Sequence, residues 1–304
     1  VGVLKQRLIT GILLICTLVG ALWADQWVQG KPVPEWLRWL MPERAPAGLA
    51  MLAIGLLVVP IAAREMGRMF RANGVMASRR WMAVAAMVGL IVSAAVPPAM
   101  SGTHAVALVA GVATAVMVCS LVWHIRDKEL HGATAAVGAA MFAFVYLGLM
   151  FGFLLALRRE HPAWVVAGVV LVTKACDIGA YFTGRAIGRH KLIPWLSPGK
   201  TWEGLIGGMA LASVAAVGGV ALHRHAYGEA GLGTMSLGVA ALVGAVFAVV
   251  GQAGDLLESV LKRDAGVKDS GQTVPGMGGV LDVLDSILLV APVAFWILTR
   301  WRES

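Results

Sequence analysis

Charge is what this chain has least of. Of its 304 residues only 14% are charged and 17 are acidic, against about 25% charged in an ordinary soluble domain. No stretch is polar enough to form a separate soluble domain, which excludes a nucleic-acid-binding module despite the net charge of +8. Cysteine is nearly absent too. Cys16, Cys119 and Cys176 each fall inside an apolar run with no CxxC pair, excluding a disulfide framework and a zinc site and leaving them as small packing residues. No fixed-period repeat and no low-complexity segment is present.

What is there is apolar: 59% hydrophobic residues and a mean hydropathy of +0.79. A hydrocarbon core of about 30 Å needs about 20 apolar residues per helical span, because lipid offers the backbone no hydrogen-bonding partners. The chain is therefore expected to be an all-α, polytopic membrane protein with about nine transmembrane helices and no soluble domain. The spans are predicted at 8–24, 47–63, 81–97, 105–123, 134–157, 163–183, 205–222, 235–254 and 280–301. Residues 1–304 read as a single integral membrane domain, with N-terminal spans over 1–160 and the polar motifs confined to 161–304. Lys5 and Arg7 precede the first apolar run, which is expected to be a retained span rather than a signal peptide.

With the N-terminus placed in the cytoplasm, 16 Lys and Arg fall in inside segments and 8 in outside ones. That bias follows the positive-inside rule, although Arg158, Arg159, Arg300 and Arg302 run against it. The first outside loop, DQWVQGKPVPEWLRWLMPER, reads as an interfacial anchor rich in Trp and Pro. The inside loop from Arg64 to Arg80 carries five arginines. Its plain reading is a topology determinant beside anionic lipid, and a second reading is a collector of anionic substrate.

Two cytoplasmic stretches are too polar for this background. The first, TKACDIGAYFTGRAIGRHKLIPWLSPGKTWEG, runs from Thr173 to Gly204. Lys174 and Asp177 lie three apart on one helical face, and charges within a span are retained when they pair or serve a site. Arg185, Arg189, His190, Lys191 and Lys200 follow, interleaved with glycines, a combination that suits phosphate oxygens. SPGKT is not a P-loop: the required glycine five residues before Gly199 is Pro194, and a membrane span follows.

The second stretch, GDLLESVLKRDAGVKDSGQTVPGMGGVLDVLDS, runs from Gly254 to Ser286. Asp255, Glu258, Ser259 and Lys262 form one stripe at i, i+3, i+4 and i+7. Asp282, Asp285 and Ser286 repeat the spacing at the start of the last span. Two helices thus present carboxylate pairs at one membrane face, a donor set for a hard cation such as Mg2+. Lys262, Arg263 and Lys268 can meet phosphates, and Gly276, Gly278 and Gly279 let the backbone turn closely over a ligand. For one helix alone, a solvated helix end would explain such acids equally well.

These residues resemble the phosphatidate cytidylyltransferase family. Ser259, Lys262, Arg263, Lys268, Asp269, Gly271, Pro275, Gly276, Gly278, Gly279, Asp282 and Asp285 fall in register with its C-terminal signature. Asp177, Tyr181, Phe182, Gly184, Arg185, Gly188, Lys191, Ser197, Pro198, Lys200, Thr201 and Glu203 match its upstream segment. Met277 stands where the family usually has His, Val283 where it has Arg, and Gly199 where Lys is common.

The resemblance implies synthesis of CDP-diacylglycerol and pyrophosphate from CTP and phosphatidic acid, with Mg2+ as cofactor. It implies Asp255, Asp282, Lys262 and Arg263 as catalytic residues, and Asp255 and Asp282 as metal ligands helped by Glu258 and Asp285. Lys174, Asp177, Arg185, Lys191, Ser197, Lys200, Thr201, Lys268, Asp269, Gly276, Gly278 and Gly279 would bind substrate phosphates. The expected setting is a bacterial-type inner membrane with the site facing the cytoplasm, with the lipid bilayer and a second copy of the chain as partners. A CTP-dependent lipid-alcohol kinase, a cytidylyltransferase for another lipid phosphate and, less well supported, a transporter are the alternatives.

Overall fold

A computed structural model describes residues 2–38, 43–96, 100–125 and 131–301, and outside them lie Arg302, residues 39–42 of the first loop, and the side chains of Lys5 and Arg7. Ten helices follow in order. They are α1 (Gly2–Val28), α2 (Leu49–Ala72), α3 (Arg79–Ala95), α4 (Gly102–Ile125), α5 (Ala133–Phe142), α6 (Met150–Glu160), α7 (Ala163–Ile187), α8 (Trp202–Tyr227), α9 (Leu237–Asp264) and α10 (Leu281–Leu298). A π-helical stretch, Ala143–Leu149, joins α5 to α6. A small antiparallel hairpin, β1 (Lys191–Ile193) and β2 (Ser197–Thr201), precedes α8. The chain is a mostly all-α, multi-pass membrane protein.

Among the described residues eight helices are long and apolar enough to cross a membrane, one fewer than the nine expected. The difference is α3, which has 17 residues and at about 1.5 Å per residue reaches about 25 Å. It starts under Ser78, whose Oγ accepts a hydrogen bond from Trp81 N, and stops where Val96 turns extended, the backbone that a following proline favours. A second difference concerns the arginine loop. α2 continues to Ala72, so Arg64, Arg68 and Arg71 stand on a helix at i, i+4 and i+7 rather than in a loop.

The chain divides into two compact units, Val1–Ala156 with Leu261–Val283, and Leu157–Val260 with Leu284–Ser304. In the first, α3 is the central helix: Met66, Met82, Leu90, Phe144 and Leu147 are fully or almost fully buried around it. Gly89 lets α3 approach the π-helical stretch, since a β-carbon there would stand 3.1 Å from Gly148 Cα. Buried Asp25 of α1 accepts bonds from Gly48 N (3.0 Å) and Ala50 N (2.8 Å), capping α2 where glycine supplies no cap of its own.

In the second unit α7 and α8 pack along small residues, as helices do where lipid removes the hydrophobic drive between them. A β-carbon at Gly208 would stand 2.8 Å from the Cys176 carbonyl oxygen, and one at Gly204 would stand 2.9 Å from that of Ala180. α9 approaches α10 in the same way: a β-carbon at Gly254 would stand 2.6 Å from Asp285 O.

The α7–α8 seam makes a prediction. Gly208→Val forces a side chain onto the Cys176 backbone and lowers stability by about 1–3 kcal/mol, the usual cost of overpacking. Gly219→Val, on the same helix where space is open, leaves the midpoint of thermal unfolding in detergent nearly unchanged.

Candidate active site

In the second unit the close approach at Gly254 determines which side chains meet. Asp255 and Glu258 on α9 gather with Asp285 on α10, each offering an oxygen within 4.8 Å of the others'. Glu258 is 0% and Asp285 5% exposed. Lys200, from β2 of the hairpin, places Nζ 2.6 Å from Asp255 Oδ2 and donates to the Gln252 carbonyl at 3.3 Å. Ser286 Oγ donates to Asp285 Oδ1 at 3.0 Å. Such a set of hard oxygens could hold a divalent cation.

The same unit holds the first polar cluster. Lys174 Nζ lies 3.1 Å from Asp177 Oδ2, the i, i+3 pair expected on α7. SPGKT forms β2, its Thr201 capping α8 through a bond from Gly204 N to Oγ1 at 3.1 Å, so it is a strand and helix cap rather than a phosphate loop. Glu203 anchors the hairpin's entry, with His190 Nδ1 2.6 Å from its Oε1. Arg185 donates to Tyr181 Oη at 2.8 Å, and its side chain, like that of Lys191, is exposed. Ser197, partly buried, pairs with Ile193 across the hairpin.

The first unit holds the other expected residues. Asp282 stands in the first turn of α10, with Oδ1 2.7 Å from Lys262 Nζ. Its Oδ2 accepts from Gly279 N (2.6 Å), Ser270 N (3.0 Å) and Ser270 Oγ (2.8 Å). The reach back to Gly279 is that of the acid in a capping box. Of the four carboxylates expected at a metal, three gather in the second unit, while Asp282 clasps the loop 265–280 in the first. Arg263 donates to the Val267 carbonyl at 3.1 Å, and Lys268 and Asp269 are exposed.

Sequence reasoning missed Glu65. This α2 residue is 1% exposed and accepts from Thr273 Oγ1 (2.6 Å) and Leu281 N (3.0 Å), with Ser270 Oγ at 3.4 Å and Arg68 at 3.8 Å. The signal was an acid directly after an apolar span, masked by the arginines around it. The loop glycines serve these two carboxylates. Gly278 has φ +104°, and a β-carbon there would stand 2.5 Å from Asp282 Oδ2. Side chains at Gly271 and Gly279 would collide with Glu65. Met277 packs its Cε 3.2 Å from where a β-carbon of Gly11 would stand, and Thr10 Oγ1 donates to the Pro275 carbonyl at 2.9 Å, so α1 covers the turn at the position where the family usually has His.

Glu65→Ala removes the shared acceptor of Thr273 and Leu281 N. Buried donors left without a partner cost about 1–3 kcal/mol each, so this variant is expected to lose at least about 2 kcal/mol of stability and to open the 265–280 loop to limited proteolysis. Asp282→Asn, which breaks the Lys262 pair, shows the same direction.

The profile of the cytidylyltransferase family matches residues 43–301. The chain is 38% identical over 159 residues to a phosphatidate cytidylyltransferase of Haemophilus influenzae, covering 50% of this chain and 54% of that one. It is 36% identical over 176 residues to one of Thermotoga maritima (56% and 62%) and 32% identical over 209 residues to one of Mycobacterium bovis (64% and 65%). It therefore spans between about half and two thirds of the length of these relatives. The profile match extends through both units and both polar motifs, and on that ground the chain belongs to the cytidylyltransferase family.

Proposed function

We propose that the protein joins CTP to phosphatidic acid, giving CDP-diacylglycerol and pyrophosphate, at the cytoplasmic face of a bacterial inner membrane. The observation that carries this reading is the group Asp255, Glu258 and Asp285 with Lys200 beside it, on the helices that bear the motifs. The relatives' name, phosphatidate cytidylyltransferase, supports the same substrate pair.

In this reaction an oxygen of the lipid phosphate bonds to the α-phosphorus of CTP, the bond from that phosphorus to the α–β bridging oxygen breaks, and pyrophosphate leaves with the electron pair. A phosphate monoester has a second pKa of about 6, so the nucleophile arrives largely deprotonated near pH 7. The task is bringing polyanions together, which fixed cations and dipoles perform.

Asp255, Glu258 and Asp285 would hold Mg2+. Bound there, the ion supplies positive charge against the phosphates and the departing pyrophosphate. Lys200 restrains the Asp255 carboxylate while keeping one N–H for a phosphate oxygen. Lys174, held by Asp177, together with Arg185 and Lys191, orients the phosphates of either substrate. Lys262 and Asp282 act by holding the glycine-rich loop in shape. Arg263 at the end of α9 and Lys268 in the loop are exposed positive charges of the first unit.

The test uses purified protein in detergent with Mg2+, a short-chain phosphatidic acid and CTP labelled at the α or the γ phosphate. Label from α-labelled CTP enters the lipid, and pyrophosphate appears in equal amount. Asp255→Asn and Asp285→Asn each lower turnover at least about 100-fold, the scale of losing one major electrostatic stabiliser, without lowering the unfolding midpoint. In a parallel reaction with a polyprenol in place of phosphatidic acid, lipid labelled from the γ position would overturn the reading in favour of a kinase, whose hydroxyl nucleophile needs a general base. Near-normal turnover in both variants would remove the metal assignment.

A further inference from the structure

We propose that a second site, in the first unit, binds a phosphate group through the arginines of α2 and α3. A cavity of about 1010 Å³ opens there, lined by Arg64, Arg68 and Arg71 of α2, Arg79 and Arg80 of α3, and His124 of α4. This inference stands apart from the carboxylate group that carries the proposed reaction.

Five guanidinium groups around one space repel each other, and the carboxylate among them does not neutralise them. Glu65 lines the same cavity but accepts bonds from Thr273 and Leu281 N, and its nearest approach to Arg68 is 3.8 Å. Among the described residues no carboxylate pairs with Arg64, Arg79 or Arg80. An anion with several oxygens relieves that repulsion. Phosphate suits it best, because the planar arginine fork meets two of its oxygens at once.

A band of arginines beside lipid headgroups is ordinary in membrane proteins, so the cations alone would not make a site. The second observation is His124. It is 7% exposed, and its buried Nε2 has no hydrogen-bond partner among the described residues, a position that a ligand oxygen in the cavity, or a water, completes.

The cavity is also held in shape. Arg71 Nε donates to the Ala77 carbonyl at 2.9 Å, closing the α2–α3 turn. Gly67 admits the neighbouring helix, since a β-carbon there would stand 2.9 Å from Arg79 Cγ. Thr273 lines the cavity and bonds Glu65, so a phosphate bound there touches the hydrogen-bond network that holds the 265–280 loop.

The phosphate can come from a lipid headgroup or from a free phosphate compound, and the experiment separates them. Full-length protein in detergent is titrated with dihexanoyl phosphatidic acid, inorganic phosphate and, as control, dihexanoyl phosphatidylcholine. EDTA is present and CTP omitted, so no metal at the acidic group contributes and a failed catalytic reading leaves the result unaffected. Phosphatidic acid binds, and Arg79→Gln/Arg80→Gln weakens it at least about tenfold, as expected when charge-assisted hydrogen bonds are lost. Arg38→Gln/Arg44→Gln, removing equal charge from the first loop, leaves it unchanged. Inorganic phosphate binding with the same sensitivity identifies a free phosphate as ligand, whereas binding of the lipid alone identifies the headgroup.

A measurement on the unaltered chain covers failure of the variant to fold. Phosphatidic acid or phosphate at about ten times its Kd slows phenylglyoxal modification of Arg79 and Arg80 about tenfold and leaves Arg38 unaffected. The proposal is overturned if neither probe protects these arginines, or if the Arg38→Gln/Arg44→Gln protein loses affinity to the same degree.

Discussion

A carboxylate taken out of water must be met by donors or by cations, and much of this protein is arranged around that requirement. Glu65 and Asp282 meet it with hydroxyls, backbone N–H groups and a lysine. These partners are drawn from sequence positions up to 216 apart. The requirement therefore does more than tolerate the acids: it folds a polar loop onto the end of an apolar helix. In the second unit the acids meet the requirement differently. Asp255, Glu258 and Asp285 gather close together with the Lys200 ammonium beside Asp255, an arrangement that gains from added positive charge.

Glycine is the second half of the same physics. Donors can reach a buried carboxylate only if the backbone comes within bonding distance, and a β-carbon at Gly271, Gly278 or Gly279 would occupy the space of the carboxylate itself. Gly254 plays the corresponding part between α9 and α10, where its missing side chain brings Asp255 alongside Asp285. Gly278 and Gly279, read in the sequence as room for a substrate, thus first make room for the protein's own acids. A phosphate approaching the loop meets a backbone already shaped by Asp282.

Much of this was legible beforehand, for identifiable reasons. Apolar runs of about 20 residues have one stable fate in lipid, so the helices followed from hydropathy, and α3 stops at Ala95, two residues before Pro97. The i, i+3 spacing of Lys174 with Asp177, and of Asp255 with Glu258, translated directly into shared helix faces. What spacing could not supply was partnership between distant segments. Glu65 lies more than 200 residues from the loop it binds, and the acid that follows the apolar span sits among arginines whose topology role is sufficient reason for charge there. The hairpin was hidden for a related cause: KLIPWLSPGKT is short and rich in turn residues, and its strands are set by Lys200 reaching Asp255 and by Glu203 holding His190.

The departures from the family pattern follow from the same accounting. At position 277 the family's usual His would bring a polar ring to a turn that α1 covers with Gly11 and Thr10. There an imidazole would need its own partner, whereas a thioether needs only contact. Met277 is therefore consistent with a turn closed by packing. Val283 stands beside Asp282, whose two oxygens are already held by Lys262, Ser270 and Gly279, so the clasp closes without an arginine next to it. Positive charge for a phosphate then has to come from elsewhere in each unit, and both units supply it: Lys174 and Lys200 in the second, and the guanidinium-lined cavity beside Glu65 in the first.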